Sequence, residues 1–248
     1  MQEKIIFFYR VHAASGRIDK NRRERYICRQ RQVIGTESRI YIMNTHALTV
    51  SSDLTASLPA YRRDAIARFA LEKDKKLSVG AGLLLQKACA DAGAEGEDRA
   101  VDFLPGGKPV LHNRPDVHFS LSHSGEIAVC AISESNVGCD IESVGKFREL
   151  LAKKICSPAE LEYLYSLDEN ERAGGFTRLW TLKESYMKFT GDGLSAGADR
   201  IGFILTPSGA KLPGRGELSF FEYAVDCGYR CSLCIEGTVM PELTEYAP

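Results

Sequence analysis

The chain has no apolar run approaching the ~18 residues that a helical membrane span requires, so a transmembrane helix is excluded. It has almost no net charge: 32 Lys and Arg stand against 33 Asp and Glu, leaving −1. No global field therefore argues for nucleic acid or for a membrane surface. No sequence period recurs, which removes repeat architectures from consideration. The early apolar stretch Ile5 to Tyr9 is five residues long, too short for the core of a signal peptide.

What is present is the material of a soluble globular protein. The 248 residues are 44% hydrophobic and 26% charged, enough for a core and for one large domain or two small ones. Eight cysteines, at 28, 89, 130, 139, 156, 227, 231 and 234, sit mostly in apolar stretches such as Ala128-Val129-Cys130-Ala131-Ile132. Small buried thiols in a reducing compartment fit that pattern, so a cytoplasmic location is expected. A metal site at Cys227, Cys231 and Cys234 is disfavoured. Their segment reads as a strand, which turns 231 and 234 to opposite faces, and no fourth ligand lies at a helpful spacing.

Residues 1–32 carry nine Lys or Arg against three acids. We read residues 1–38 as a basic N-terminal extension, disordered or spuriously included, in preference to a tail that touches nucleic acid. Deleting residues 1–32 is expected to leave folding and activity intact.

Beyond it, hydrophobic patterning predicts a strand at 39–43, a helix opened by Leu58-Pro59 and running to about Ala70, and a helix from Asp74 to Ala92 that stops before Gly93. Gly80 and Gly82 weaken that second helix unless something packs closely on them. Short strands follow at 101–104, 109–111 and 117–121. Ser122-His123-Ser124-Gly125 reads as a turn, and strands at 127–133 and 137–142 read as a hairpin across Glu134-Ser135-Asn136. The theme then recurs, with helices at 147–155, 158–166 and 171–190 and strands at 201–205, 218–225 and 229–236. Two halves of helices and antiparallel strands predict an α+β fold, split as 39–137 and 138–248, with a cleft between.

Chemistry concentrates in a few blocks. Asp140 and Glu142, two apart on a strand, point to one face. Glu184 and Lys188 are one helical turn apart. Leu179, Leu182, Tyr186 and Phe189 form the apolar face of that helix, and Glu184 and Lys188 lie roughly opposite, so packing does not require them. Alone, each patch reads as solvated acids or as a surface ion pair. Together, two carboxylates on a strand and one on a helix can meet at a hard cation, which points to phosphate chemistry. Hydroxyls around His123, followed by a glycine, suit a phosphate site. Ser122 and His123 are adjacent on an extended segment and diverge, which disfavours a nucleophile–base pair. Pro105-Gly106-Gly107-Lys108-Pro109 is a turn presenting one lysine, and Arg62, Arg63, Arg68, Lys73, Lys75 and Lys76 put basic charge on the first helices.

The order of these blocks carries more than any one of them. Gly107-Lys108-Pro109, Phe119-Ser120-Leu121-Ser122-His123-Ser124, Gly138-x-Asp140-Ile141-Glu142, Trp180-x-x-Lys183-Glu184-Ser185-x-x-Lys188 and the trailing Gly191-Asp192-Gly193-Leu194-Ser195 resemble the Sfp-type 4'-phosphopantetheinyl transferases. The resemblance covers about residues 39–236. It implies a pseudo-twofold pair of similar α+β halves with coenzyme A and Mg²⁺ between them. It implies transfer of the phosphopantetheine arm of coenzyme A to a serine of an apo acyl or peptidyl carrier protein, with release of adenosine 3',5'-bisphosphate. By position, Asp140, Glu142 and Glu184 would hold Mg²⁺, and Glu184 would also deprotonate the serine. Lys188 would contact the pyrophosphate, Ser122 and His123 would match a phosphate-binding pair, and Lys108, Lys183, Arg62 and Lys76 would complete the coenzyme site. This chain departs from the pattern at Ala65, where a basic residue is expected, at Lys76, which replaces an Arg, and at Asp192. The alternative enzyme is a Mg²⁺-dependent pyrophosphohydrolase acting on coenzyme A or a related nucleotide. A non-enzymatic module binding coenzyme A or a carrier is the third reading. A monomer is expected, since one chain can build the cleft alone, and a helical acidic carrier suits basic patches near it.

Overall fold

A computed structural model describes residues 38–193, 197–206, 209–226 and 228–248. The expectation for the N-terminal extension, and those for Cys28, Cys227, Leu194 and Ser195, fall outside the described residues.

Strand β1 (Arg39–Asn44) is followed by helices α1 (Ser52–Ala56), α2 (Ala60–Arg68) and α3 (Glu72–Asp91). A small hairpin, β2 (Val101–Phe103) and β3 (Pro109–Leu111), leads to β4 (His118–Ser124) and β5 (Ile127–Ser133). The plan then repeats: β6 (Val137–Ser143), helices α4 (Glu149–Ile155), α5 (Pro158–Ser166) and α6 (Glu169–Thr190), hairpin β7 (Ile204–Thr206) and β8 (Gly209–Lys211), and strands β9 (Leu218–Tyr223) and β10 (Tyr229–Glu236). Sheet order repeats as well. β1-β5-β4 in one sheet and β6-β10-β9 in the other each place the last strand between the first and the one before it. A final strand, β11 (Leu243–Glu245), adds in parallel to the free edge of β1.

The pieces stack in four layers. Odd positions of β1 and β4 and even positions of β5 (Tyr41, Met43, Phe119, Leu121, Ala128, Cys130) pack with Val79, Leu83 and Leu84 of α3. The opposite faces of the two sheets meet in a core of Ile40, Ile42, Val129, Ala131, Cys139, Ile141, Leu233 and others. Beyond the second sheet, Phe220 and Cys234 join Leu179, Trp180 and Leu182 of α6. The period-two alternation of the strands supplies both faces, and the continuous apolar run of β5 is explained by burial on both sides. Helix α3 tolerates its glycines because it sits close. A Cβ on Gly80 would lie 2.5 Å from Thr45 Cγ2, and one on Gly82 2.7 Å from Leu58 Cδ2.

The α+β class agrees with the sequence reading, but the details differ at several places. The expected hairpin between 127–133 and 137–142 does not form. Both edges of β5 are taken, by β1 and β4, so β6 leaves that sheet and founds the second. The expected turn at 122–125 is strand as far as Ser124, and the chain reverses at Gly125-Glu126. Short α1, β8 and β11 have no counterpart in the sequence reading, and the strand expected at 201–205 starts only at Ile204, as β7. Six cysteines, at 89, 130, 139, 156, 231 and 234, are free and buried. Cys231 lies in the core between the sheets and Cys234 in the core under α6, on opposite faces of β10. Among the described residues no helix is long and apolar enough to cross a membrane.

Candidate active site

The site forms where α6 crosses β6. Acids in its first turn (Glu169, Glu171) and Lys188 in its last suit the helix dipole, and Gly191 at φ 79° ends it in the left-handed conformation. Even residues of β6 face this helix. Gly138 permits the approach, because a Cβ there would collide with the backbone at Ser185 O and Phe189 N. Asp140 and Glu142 follow on the same face, and both are buried. The side of α6 expected to be solvated is instead covered, leaving Glu184 only 4% exposed.

Lys188 Nζ lies 2.8 Å from Asp140 Oδ1 and donates to Leu121 O at 3.3 Å. Ser122 Oγ donates to the same Asp140 oxygen at 2.7 Å, and Ser124 Oγ donates to Glu142 Oε2 at 2.6 Å. Asp140 Oδ2 and Glu184 Oε1 are buried with no hydrogen-bond partner. Burial first, then the charges of Asp140 and Glu142, push the Glu184 carboxyl up to about 8, against the pull of Lys188. Burial alone would lower the Lys188 ammonium, but Asp140 and Glu184 outweigh it and hold it above its ordinary value. Three buried carboxyl groups against one ammonium therefore leave two unsatisfied acceptors and, whenever Glu184 is ionised, excess negative charge.

That is the electrostatic demand of a cation. Among the described residues no three Cys, His, Asp or Glu side chains already form a metal cage. Mg²⁺ does not need one. It keeps several waters and is held by one or two carboxylates plus substrate phosphates. The donor chemistry, all carboxylate oxygen, fits Mg²⁺.

The other expected coenzyme residues scatter. Lys183 points away: its side chain is fully buried, 2.6 Å from Glu160 Oε2, and donates to Ile155 O and Ala198 O. That accounts for three donors, so in this arrangement it offers none to a phosphate. Lys108 is likewise buried, donating to Asn136 Oδ1, Val137 O and Phe189 O, and burial pushes its ammonium down to about 8. It ties the β2–β3 turn to the start of β6 and the end of α6. Ser122 and His123 part company, since β4 turns Ser122 to the acids and His123, opposite Ala128, to the α3 side. Lys76, at the start of α3, donates to His46 O. Arg62 is buried on α2, its guanidinium 5.3 Å from the Tyr61 ring centroid. The structure therefore brings Asp140, Glu142, Glu184, Lys188 and Ser122 together, and does not add Lys183 or Lys108. The sequence reading missed Ser124, Asn136 and Glu160 as partners. The alternation Ser120-x-Ser122-x-Ser124 was the available signal for the first of these.

Two family models match this chain. The 4'-phosphopantetheinyl transferase superfamily matches residues 136–234, and the "4'-phosphopantetheinyl transferase, N-terminal" family matches residues 49–135. The join falls between the two repeated halves. A 4'-phosphopantetheinyl transferase of Bacillus subtilis is 31% identical over 186 residues, covering 73% of this chain and 83% of that protein. The 4'-phosphopantetheinyl transferase HetI of Nostoc sp. is 33% identical, covering 75% of this chain and 81% of its own length. The 4'-phosphopantetheinyl transferase Sfp of Bacillus subtilis is 34% identical over 140 residues, 55% of this chain and 62% of that protein.

Proposed function

The chain belongs to the 4'-phosphopantetheinyl transferases, enzymes that move phosphopantetheine onto carrier proteins, and on that premise we propose how its cleft performs the transfer. Coenzyme A is the donor. The serine hydroxyl of an apo acyl or peptidyl carrier protein is the acceptor. The serine oxygen forms a bond to the phosphorus that carries the pantetheine arm. The pyrophosphate P–O bond breaks, and adenosine 3',5'-bisphosphate leaves with the electron pair. The serine proton passes to Glu184.

Asp140, Glu142 and Glu184 would hold Mg²⁺, which when bound would neutralise charge on the pyrophosphate. The observation that carries this reading is the pair of buried, unpartnered oxygens, Asp140 Oδ2 on β6 and Glu184 Oε1 on α6. Glu184 suits a base because burial and its acidic neighbours raise its proton affinity toward working pH. A bound cation lowers that affinity again, so the same group serves as ligand and base with opposing demands. Lys188, held protonated by two carboxylates, stabilises the charge that gathers on the transferring phosphoryl group. Arg62, Lys76 and His123 serve the coenzyme phosphates from the first half. Residues 39–137 and 138–248 act as the two halves of one cleft, so a cytoplasmic monomer suffices. The matched relatives give the pyrophosphohydrolase alternative no support.

The test is chromatographic. With coenzyme A, Mg²⁺ and an apo carrier, adenosine 3',5'-bisphosphate is released, and leaving out the carrier or adding EDTA stops it. Release without any carrier would instead make the protein a coenzyme A hydrolase.

A further inference from the structure

The last turn of α6 has carbonyls that the helix itself cannot satisfy. Met187 O accepts from Gly191 N at 2.9 Å and from Thr190 Oγ1 at 3.2 Å. Phe189 O is satisfied from outside the helix, by Asn136 Nδ2 and, at 2.9 Å, by Lys108 Nζ. Asn136 belongs to the short link, residues 134–136, that carries the chain from β5 to β6 and so joins the two halves. Its Oδ1 accepts from Lys108 Nζ and, at 3.1 Å, from Val137 N. An ammonium and a backbone N–H only donate, and a carbonyl only accepts, so these partners fix which end of the carboxamide is which. The β2–β3 turn closes on the same spot, where a Cβ on Gly106 would lie 1.9 Å from Gly191 O. Three segments distant in sequence thus meet at one helix end, and the residue before Phe189 is Lys188.

We propose that Asn136 is a positioning residue for Lys188, acting through the last turn of α6. The proposal rests on the role given to Lys188 above. Lys188 is held at its tip by Asp140 Oδ1, at 2.8 Å, and by Leu121 O, at 3.3 Å. Those contacts do not set where the ammonium sits by themselves, because a lysine stem is flexible and follows its backbone. Asn136 holds that backbone, one residue on, through Phe189 O. A displacement of about 1 Å at a reacting centre can cost on the order of 100-fold in rate. Asparagine suits the place because one side chain must donate to a carbonyl and accept from an ammonium. Aspartate keeps the acceptor for Lys108 but sets an oxygen against Phe189 O, and alanine removes both contacts. If Asn136 served only to satisfy Lys108, aspartate would be tolerated.

Full-length Asn136→Asp and Asn136→Ala proteins test this, each made with Lys188 intact and with Lys188→Ala. Transfer to an apo carrier is timed by mass spectrometry with enzyme in excess, so that slow variants stay measurable. With Lys188 intact, we expect both substitutions to slow transfer about 10-fold, Asn136→Asp as much as Asn136→Ala. With Lys188→Ala already present, neither adds more than about twofold, because residues that act through one group are not additive. If Lys188→Ala leaves no rate to time, the same comparison is read in coenzyme A affinity by calorimetry, with the same criterion. If Asn136→Ala does not fold, the aspartate variant, which keeps an acceptor for Lys108, decides alone. Transfer at the normal rate by Asn136→Asp overturns the proposal, and so does a loss of equal size with and without Lys188. Lys188→Ala that transfers as fast as the unmodified chain would instead overturn the role given to Lys188, which is a different outcome.

Discussion

The two halves follow one plan and put different chemistry in the same place. In the first, the opening strand turns Tyr41 and Met43 toward its long helix, α3. In the second, the opening strand turns Gly138, Asp140 and Glu142 toward α6. Each half needs a glycine where helix meets strand, but the first carries it on the helix, at Gly80, and the second on the strand, at Gly138. The first contact is apolar and stabilises the fold. The second buries carboxylates, one of them pushed well above its ordinary proton affinity, and so works against stability. The first helix–strand contact is scaffold, and the second spends stability on the proposed site, a division common where function needs an unfavourable arrangement.

The comparison breaks most visibly in activity. Glu184→Ala is expected to cut the transfer rate by roughly 10²–10⁴-fold, since on the proposed mechanism it removes both a ligand and the base. Near-normal steady-state rates would remove Glu184 from the mechanism. Next in size is Lys183→Ala. It strands Glu160 as a buried, unpaired charge, so unfolding in urea should show a loss of about 3–5 kcal/mol. A loss below about 1 kcal/mol would say that Lys183 is free to serve the coenzyme after all.

Acidity sharpens the contrast further. The Glu184 carboxyl rises from 4.5 to about 8 on folding. Between those values the folded state holds a proton that the unfolded state has lost, so stability falls as pH rises through that window. Glu184→Gln should flatten that slope in EDTA. Above about pH 8 it should leave the variant more stable than the unmodified chain, by roughly a few kcal/mol. Parallel stability–pH curves for the two proteins would contradict the burial of this charge. The smallest effect compares the glycines. Gly138→Ala would press on backbone atoms and should cost about 2–3 kcal/mol, whereas Gly80→Ala meets side-chain atoms, chiefly Thr45 Cγ2, and should cost less, about 1–2 kcal/mol, both by thermal unfolding.

Much of this architecture was legible because alternation and capping are local. β4, β5, β10 and the long helices announce themselves through their own residues, and Pro158 after Ser157 marks a helix start with a full capping box. What stayed hidden depends on distant neighbours. The β5–β6 hairpin is sound as a local pattern and fails only because β1 takes the edge that β6 would have used. A lysine is ordinarily a surface residue, so nothing near Lys183 or Lys108 foretells that carbonyls from distant segments will enclose each ammonium. The acids were readable as a pair on one strand face. That Ser122 would turn to Asp140 was not, because it requires β4 to lie against the free edge of β6.

The central claim is that the acids between β6 and α6 carry out the transfer. Intact-mass spectrometry of an apo carrier protein tests it most directly, with coenzyme A and Mg²⁺ present and the unmodified chain run beside Asp140→Ala. The account predicts that the carrier gains one phosphopantetheine group from the unmodified chain, and that both EDTA and the substitution abolish the gain. A carrier modified equally well by Asp140→Ala, or left unmodified by the intact chain across a panel of carriers, would contradict it.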